Sequence, residues 1–154
     1  MSHLNVLSSM APEPVIPDYR ELGIVTELAL HHFIYDEWHV DQLVERVSSA
    51  LQNQRGRVFF NEQHQPIGYL SWAFVDEAEH QLLMSGKLQD VHLADLFYTD
   101  DLPGFHFWII DTLSPFQCAN TLLEKLRHDF PEVSRGYGIQ PVPEFARLQA
   151  GRIW

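Results

Sequence analysis

The chain has 154 residues, a length typical of one domain with a buried core. Apolar residues make up 45% of it and charged residues 20%, which excludes a disordered chain. Lysine and arginine number 10 against 21 aspartate and glutamate residues, and the net charge of -11 disfavours nucleic acid, whose phosphates need clustered basic side chains. No apolar run approaches the ~20 residues of a membrane span, and no secretory signal is evident. These observations predict a cytoplasmic protein without a membrane span.

The first part of the chain is predicted to be a tail followed by two helices. Residues 1–17 contain three prolines and are predicted to form a flexible N-terminal tail ahead of a single domain at 18–154. Asp18 is predicted to cap a helix that runs to about Glu37, and the apolar spacing over 39–52 predicts a second helix.

After these helices the apolar pattern changes from helical to strand-like spacing. It predicts, in chain order, strands at 57–61 and 66–75, a short helix at 76–84, mostly loop over 85–104, a central strand at 105–113, a helix at 117–130 and a last strand at 134–139. This order indicates a mixed α/β fold in layers.

The most informative single residue is Asp111, inside the apolar strand at 105–113. A carboxylate in a central strand is costly to bury unless a helix N-terminus, a histidine, an arginine or the mouth of a cleft compensates it. Site residues in α/β folds commonly lie at the ends of such strands, so Asp111 is a candidate site residue. A structural aspartate at a strand end is the alternative.

Metal and nucleophile sites are less well supported. His31, His32 and His39 lie close together, but their spacing is not that of a zinc-binding helix, so surface or packed histidines are favoured. Cys118, the single cysteine, lies near a predicted helix start, a position that favours a thiolate, yet packing is the better interpretation. The turn at 114–120 contains no glycine, which disfavours a coenzyme A pyrophosphate site or a P-loop.

Three segments together resemble one known family. They are Pro-Ile-Gly-Tyr-Leu-Ser-Trp-Ala at 66–73, Trp-Ile-Ile-Asp-Thr-Leu-Ser-Pro-Phe at 108–116 and Leu-Arg-His-Asp-Phe-Pro at 126–131. In this order and spacing they resemble the RTX toxin-activating lysine acyltransferases, over about residues 20–150.

The resemblance implies a GNAT-like acyltransferase fold, with a mixed central sheet flanked by helices. It implies transfer of a fatty acyl group from acyl carrier protein, rather than coenzyme A, to an internal lysine of an RTX-type protoxin, with no tightly bound cofactor. The catalytic aspartate of the family falls on Asp111. If this role holds, we expect Asp111→Asn to lose activity while folding stays close to intact.

The catalytic histidine of the family does not carry over. It belongs to a Ser-x-x-His-x-x-Trp pattern, and placing Trp38 on the tryptophan puts Tyr35 at the histidine position and His32 at the serine position. If the first helix continues through this region, His32 lies one turn from Tyr35 and is the first candidate for the base. His31 is the second candidate and His39 the third.

Two other functions remain open. One is a non-catalytic GNAT-fold protein that binds and escorts the toxin, favoured by Tyr35 at the histidine position. The other is a coenzyme A-dependent acetyltransferase that acts on a small molecule.

Partner surfaces are predicted from charge and aromatic residues. An acidic carrier protein needs a local basic face, for which the chain offers Lys125, Arg127, Arg135, Arg147 and Arg152. A homodimer is also predicted, because the family tends to dimerise and four aromatic side chains could form an apolar patch: Phe97, Tyr98, Phe105 and Trp154.

Overall fold

A computed structural model describes residues 19–31, 40–86, 93–98, 104–116, 119–142 and 147–154. The helices are α1 (Tyr19–Leu30), α2 (Val40–Gln52), α3 (Glu77–Met84), a 3-10 helix (Leu93–Tyr98) and α4 (Ala119–Asp129). The strands are β1 (Gly56–Phe60), β2 (Pro66–Val75), β3 (His106–Leu113), β4 (Gly136–Val142) and β5 (Arg147–Arg152).

One mixed sheet of five strands, in the spatial order β1-β2-β3-β4-β5, forms the centre of the fold. Neighbouring strands are antiparallel except β3 and β4, which are parallel. Because a tight turn cannot join a parallel pair, the chain passes from β3 to β4 through α4. This sheet with flanking helices confirms the predicted α/β fold class and is compatible with a GNAT-like fold.

Helices cover both faces of the sheet, and alternation along β2 and β3 supplies each face with apolar side chains. On one face α1, α2, α3 and the 3-10 helix pack against Tyr69, Ala73, Val75, Trp108, Ile110 and Leu113. On the other face Leu122 and Leu126 of α4 pack against Leu70, Trp72, Phe74, Phe107 and Ile109. β2 and β3 are therefore buried on both sides, as a central strand pair should be.

The first helix is shorter than predicted. α1 ends at Leu30, and His31 lies in a turn whose N–H donates to the carbonyl of Leu28 at 3.1 Å, so a continuous helix to Glu37 is wrong. Ala29 is the last buried position of α1, and Leu30 is 69% exposed, so the last residue of the helix has no support from core packing. The predicted tail at 1–17 lies outside the described residues.

The structure adds two elements to the predicted secondary structure. The segment at 85–104, expected to be mostly loop, contains the six-residue 3-10 helix, whose Ala94, Leu96 and Phe97 are buried in the core. The strand β5 was not predicted at all. Its sequence, Arg-Leu-Gln-Ala-Gly-Arg, contains no β-branched or aromatic residue, so its pairing with β4 determines the strand rather than local propensity.

The four aromatic residues invoked for a dimer patch do not form one exposed group. Phe97 is buried, and Phe105 and Trp154 pack against the core of their own chain. Tyr98 alone among them is largely exposed, at 60%. A homodimer stays a prediction that needs another surface. Within the described ranges, no helix has both the length and the apolar composition of a membrane span.

β2 and α4 approach closely at Gly68. A Cβ atom at this position would lie 2.3 Å from Cδ1 of Leu122 and 2.8 Å from the carbonyl oxygen of Leu113. The second contact is with backbone of the neighbouring strand and cannot relax without moving β3. At Gly23 on α1, by contrast, an added methyl group would meet no atom of the described residues within 4 Å.

We predict that Gly68→Ala lowers the free energy of unfolding by about 1–3 kcal/mol, the usual cost of overpacking. The matched variant Gly23→Ala should raise it by about 0.5–1 kcal/mol, because alanine is the better helix former. Urea denaturation of both variants measures the difference. Equal stability of the two variants would contradict the close approach of β2 and α4.

A buried histidine lies at the opposite end of β3 from Asp111. The indole N–H of Trp108 donates to Nδ1 of His80 at 3.0 Å, so Nδ1 carries no proton. The ring of His106 stacks on His80 with centroids 3.8 Å apart, and Nε2 of His106 donates to Glu77 at 2.6 Å. Burial, reinforced by the charge that His106 can carry, lowers the pKa of His80. His80 is therefore harder to protonate in the folded protein than in the unfolded chain.

We predict that the melting temperature falls as the pH is lowered from 7 to 5, partly because of His80. In the unfolded chain this histidine takes up a proton below about pH 6.5, whereas in the folded chain it resists protonation, so acid favours unfolding. His80→Gln should flatten this pH dependence, and His128→Gln, an exposed control on α4, should not. Thermal unfolding curves across this pH range measure the slopes, and equal slopes for the wild type and His80→Gln would refute the role.

Candidate functional site

A β-bulge in β3 determines which face of the sheet receives Asp111. Ser71 pairs with Asp111 and Trp72 pairs with Ile109, so Ile110 is an extra residue in β3. In a regular strand Asp111 would share a face with Ile109, towards α4. The extra residue turns Asp111 to the other face, which α1 and α2 cover.

On that face the Asp111 carboxylate meets an arginine and a serine. Asp111 is 3% exposed, and Arg46 of α2 binds it with both arms of the guanidinium, Nε donating to Oδ2 at 3.2 Å and Nη2 donating to Oδ1. Ser71 accepts the backbone N–H of Asp111 at 3.0 Å, and its hydroxyl donates to Oδ2 at 3.4 Å. Both carboxylate oxygens therefore have charged or polar donors.

The side chain of Arg46 is 16% exposed, so the pair is largely removed from water. Burying two charges costs several kcal/mol per ion, and their attraction offsets that cost only when the geometry is good and the other polar atoms are bonded. The two-armed contact and the serine meet that condition. An arginine therefore offsets the cost of burying the Asp111 carboxylate, one of the possibilities that the sequence left open.

Tyr69 places a further polar atom in this part of the core. Its hydroxyl is buried and has no hydrogen-bond partner among the described atoms. Burial, with the negative charge of Asp111 as the second cause, raises the pKa of Tyr69. The phenol stays protonated and can only donate or accept a hydrogen bond. The nearest atoms to a Cβ added at Gly56 belong to Tyr69, so the ring fills the space that this glycine leaves.

The ladder between β3 and β4 ends just before Asp111. The two parallel strands pair only from Phe107↔Gly136 to Ile109↔Gly138. Both strands continue past that point, β3 to Leu113 and β4 to Val142. Asp111 thus lies on a stretch of β3 that pairs with β2 on one side and has no ladder to β4 on the other.

The predicted site residues fare differently. Asp111 is at the centre of a buried polar cluster, whereas His31 is exposed in the turn after α1. His32, Tyr35, His39 and Cys118 lie outside the described residues, so their roles stay predictions. Within the described part of the chain, no three histidine, cysteine or carboxylate side chains are grouped to hold a metal ion.

Sequence reasoning missed Arg46. A signal was present, because Arg46 lies three residues after Leu43 and just before Val47, both buried, on the apolar stripe of α2. A charged residue on the inner face of an amphipathic helix needs a buried partner of opposite charge. Asp111 was the candidate carboxylate that lacked one.

The ion pair changes the expectation for Asp111→Asn. Removing the negative charge leaves the Arg46 guanidinium buried without its counter-ion, so we predict a loss of about 3 kcal/mol in the free energy of unfolding. The double variant Arg46→Met with Asp111→Leu should recover most of this loss, because two apolar side chains need no compensation.

Asp129→Asn is the matched control, since Asp129 pairs with Arg57 while 43% of its side chain is exposed. That change should cost under about 1 kcal/mol. Urea denaturation of the three variants tests the prediction. An Asp111→Asn protein as stable as Asp129→Asn would contradict the buried pair.

Comparison with known proteins gives one consistent result. The family described as the RTX toxin acyltransferase family matches residues 17–136. An RTX-III toxin-activating lysine-acyltransferase of Actinobacillus pleuropneumoniae is 26% identical over 141 residues, covering 88% of this chain and 77% of the relative. An RTX-II toxin-activating lysine-acyltransferase of the same organism is 27% identical over 126 residues, covering 80% and 74%.

A leukotoxin-activating lysine-acyltransferase of Mannheimia haemolytica, serotype A11, is 26% identical over 122 residues, covering 78% of this chain and 68% of the relative. The family match spans most of the chain and includes α1, α2, the bulged strand β3 and both partners of the buried ion pair. The chain belongs to the RTX toxin acyltransferase family.

Proposed function

We propose that the protein transfers a fatty acyl group from acyl carrier protein to an internal lysine of an RTX-type toxin. The observation that carries the proposal is the family match across residues 17–136, which contains Asp111 and its surroundings. The relatives named above act on RTX toxins or leukotoxins through lysine acylation, as their names state. We therefore propose that the acyl acceptor of this protein is a lysine side chain of such a toxin.

The reaction requires a base and a stabilised leaving group. The ε-ammonium of lysine must first lose a proton, because only the neutral amine attacks the thioester carbonyl. The N–C bond of the amide then forms, the C–S bond breaks, and the thiolate of the carrier takes up a proton. We assign Asp111 as the orienting or electrostatic partner of the base, and His32 as the base, with His31 and His39 as the other candidates.

The carrier is proposed from two features. The turn after β3 has no glycine among residues 114–120, unlike turns that cradle a pyrophosphate. Beyond Ile109 the edges of β3 and β4 are not paired with each other, and such edges can bind an extended amide-containing chain through the backbone. The pantetheine arm that carries the acyl group has this chemistry.

A basic face for an acidic carrier is proposed on and after α4. Lys125 and Arg127 are exposed on that helix, and Arg135 is exposed in the turn before β4. Each can contribute to docking through charge complementarity, which mainly raises the rate of encounter.

An escort role without catalysis is the second candidate, and one contact favours it. Arg46 and Ser71 already occupy both oxygens of Asp111, as expected of a structural carboxylate. The presence of Tyr35 at the histidine position of the family pattern also favours an escort role, because a tyrosine is a poor base at neutral pH. An escort would bind the toxin and leave its mass unchanged.

Coexpression with a candidate RTX-type toxin and a fatty acyl carrier protein, followed by intact-mass measurement of the toxin, separates the two. Transfer predicts a mass increment of one acyl group on lysine, and Asp111→Asn should lower the rate per folded molecule about a hundredfold. Glu62→Gln, a variant of an exposed carboxylate in the turn between β1 and β2, should transfer at the wild-type rate. A stable complex whose toxin gains no mass would establish the escort and refute the transferase.

A further inference from the structure

We propose that Arg46 is a positioning residue for acyl transfer, holding the Asp111 carboxylate in the single orientation that the reaction uses. The inference rests on the proposed function and adds a residue to it that the family motifs quoted above do not contain. Arg46 acts through Asp111 and need not touch substrate.

The contact geometry is the first argument. A planar guanidinium that binds one carboxylate through two N–H groups fixes both the place and the rotation of that carboxylate. Here Nε binds Oδ2 and Nη2 binds Oδ1, while Ser71 holds the backbone N–H and Oδ2 of the same residue. Asp111 therefore has little freedom about its side-chain torsions.

The support behind Arg46 is the second argument. Its neighbours on α2, Leu43, Val47 and Ala50, are buried within one turn on either side, so the helix backbone at Arg46 is fixed by packing. The guanidinium then reaches across to the sheet, 65 residues further along the chain. A positioning side chain is effective only when the backbone that carries it is rigid. The packed backbone of α2 at Arg46 meets this condition.

The location of the pair is the third argument. Two apolar side chains would fill the same space without the cost of burying charge. In a second arginine–aspartate pair, Arg57 with Asp129, the side chains are 40% and 43% exposed and largely avoid that cost. The buried pair instead coincides with the bulge that turns Asp111 to this face and with the end of the β3–β4 ladder. The buried charge of Asp111 therefore lies at the point of β3 where the bulge sets the direction of its side chain.

The test compares Arg46→Gln, Arg46→Lys and the control Arg57→Gln with the wild type. Steady-state acylation of the toxin, at saturating fatty acyl carrier protein, gives kcat and KM for the toxin. Near-UV circular dichroism gives the folded fraction at the assay temperature. We expect Arg46→Gln to lower kcat per folded molecule about a hundredfold, the scale of a 1 Å misplacement, with KM changed less than about twofold.

Arg46→Lys keeps the charge but not the fork, so it should recover the melting temperature and regain only part of kcat. Arg57→Gln should keep both constants. A purely structural Arg46 would lower the folded fraction and leave kcat per folded molecule at the wild-type value in both variants, which overturns the inference.

If Arg46→Gln does not fold, Arg46→Lys decides. A kcat per folded molecule below that of the wild type supports the inference, and the wild-type value overturns it. A wild type that transfers no acyl group, together with an equally inactive Arg57→Gln, refutes the proposed function and the inference with it. An active wild type with a fully active Arg46→Lys and Arg46→Gln refutes the inference alone.

Discussion

The ion pair between Arg46 and Asp111 joins the helical layer to the sheet at the point where β3 changes register. Without the bulge the carboxylate would face α4, where Leu70, Leu122 and other apolar side chains offer no donor. Without the arginine the bulge would place an uncompensated charge under α1 and α2. Each feature makes the other tolerable, and the polar cluster exists only because both are present.

Residue patterns predicted much of this architecture, and the errors have physical causes. The bounds of β2 follow from a long apolar run between turns, which local sequence displays directly. The local sequence of β5 has no such apolar run, because the strand conformation there depends on pairing with β4. α1 ends at Leu30, which is 69% exposed, although the helical spacing of apolar residues continues beyond it in the sequence. Local pattern predicts elements well where burial and propensity agree.

The candidate site was likewise predictable only in part. The apolar neighbours of Asp111 showed that its buried charge needs compensation, but four kinds of surroundings could have provided it. The choice of Arg46 required knowing that α2 crosses the sheet opposite the bulge, a relation between residues 65 positions apart. The bulge itself leaves no mark in the residues around Ile110, since it arises from the pairing of two strands. For the family histidine, Tyr35 and its neighbours lie outside the described residues, so the assignment of a base stays a prediction.

The bulge also determines how β3 tolerates the loss of a residue. Ile110 is the extra residue, so its deletion would restore regular pairing with β2 and leave Asp111 and Leu113 on the face that they occupy now. Deletion of Thr112, beyond the bulge, would instead turn Leu113 from its place beside Tyr69 to the face that α4 covers. The strand is therefore expected to accept the loss of a residue at the bulge more readily than after it.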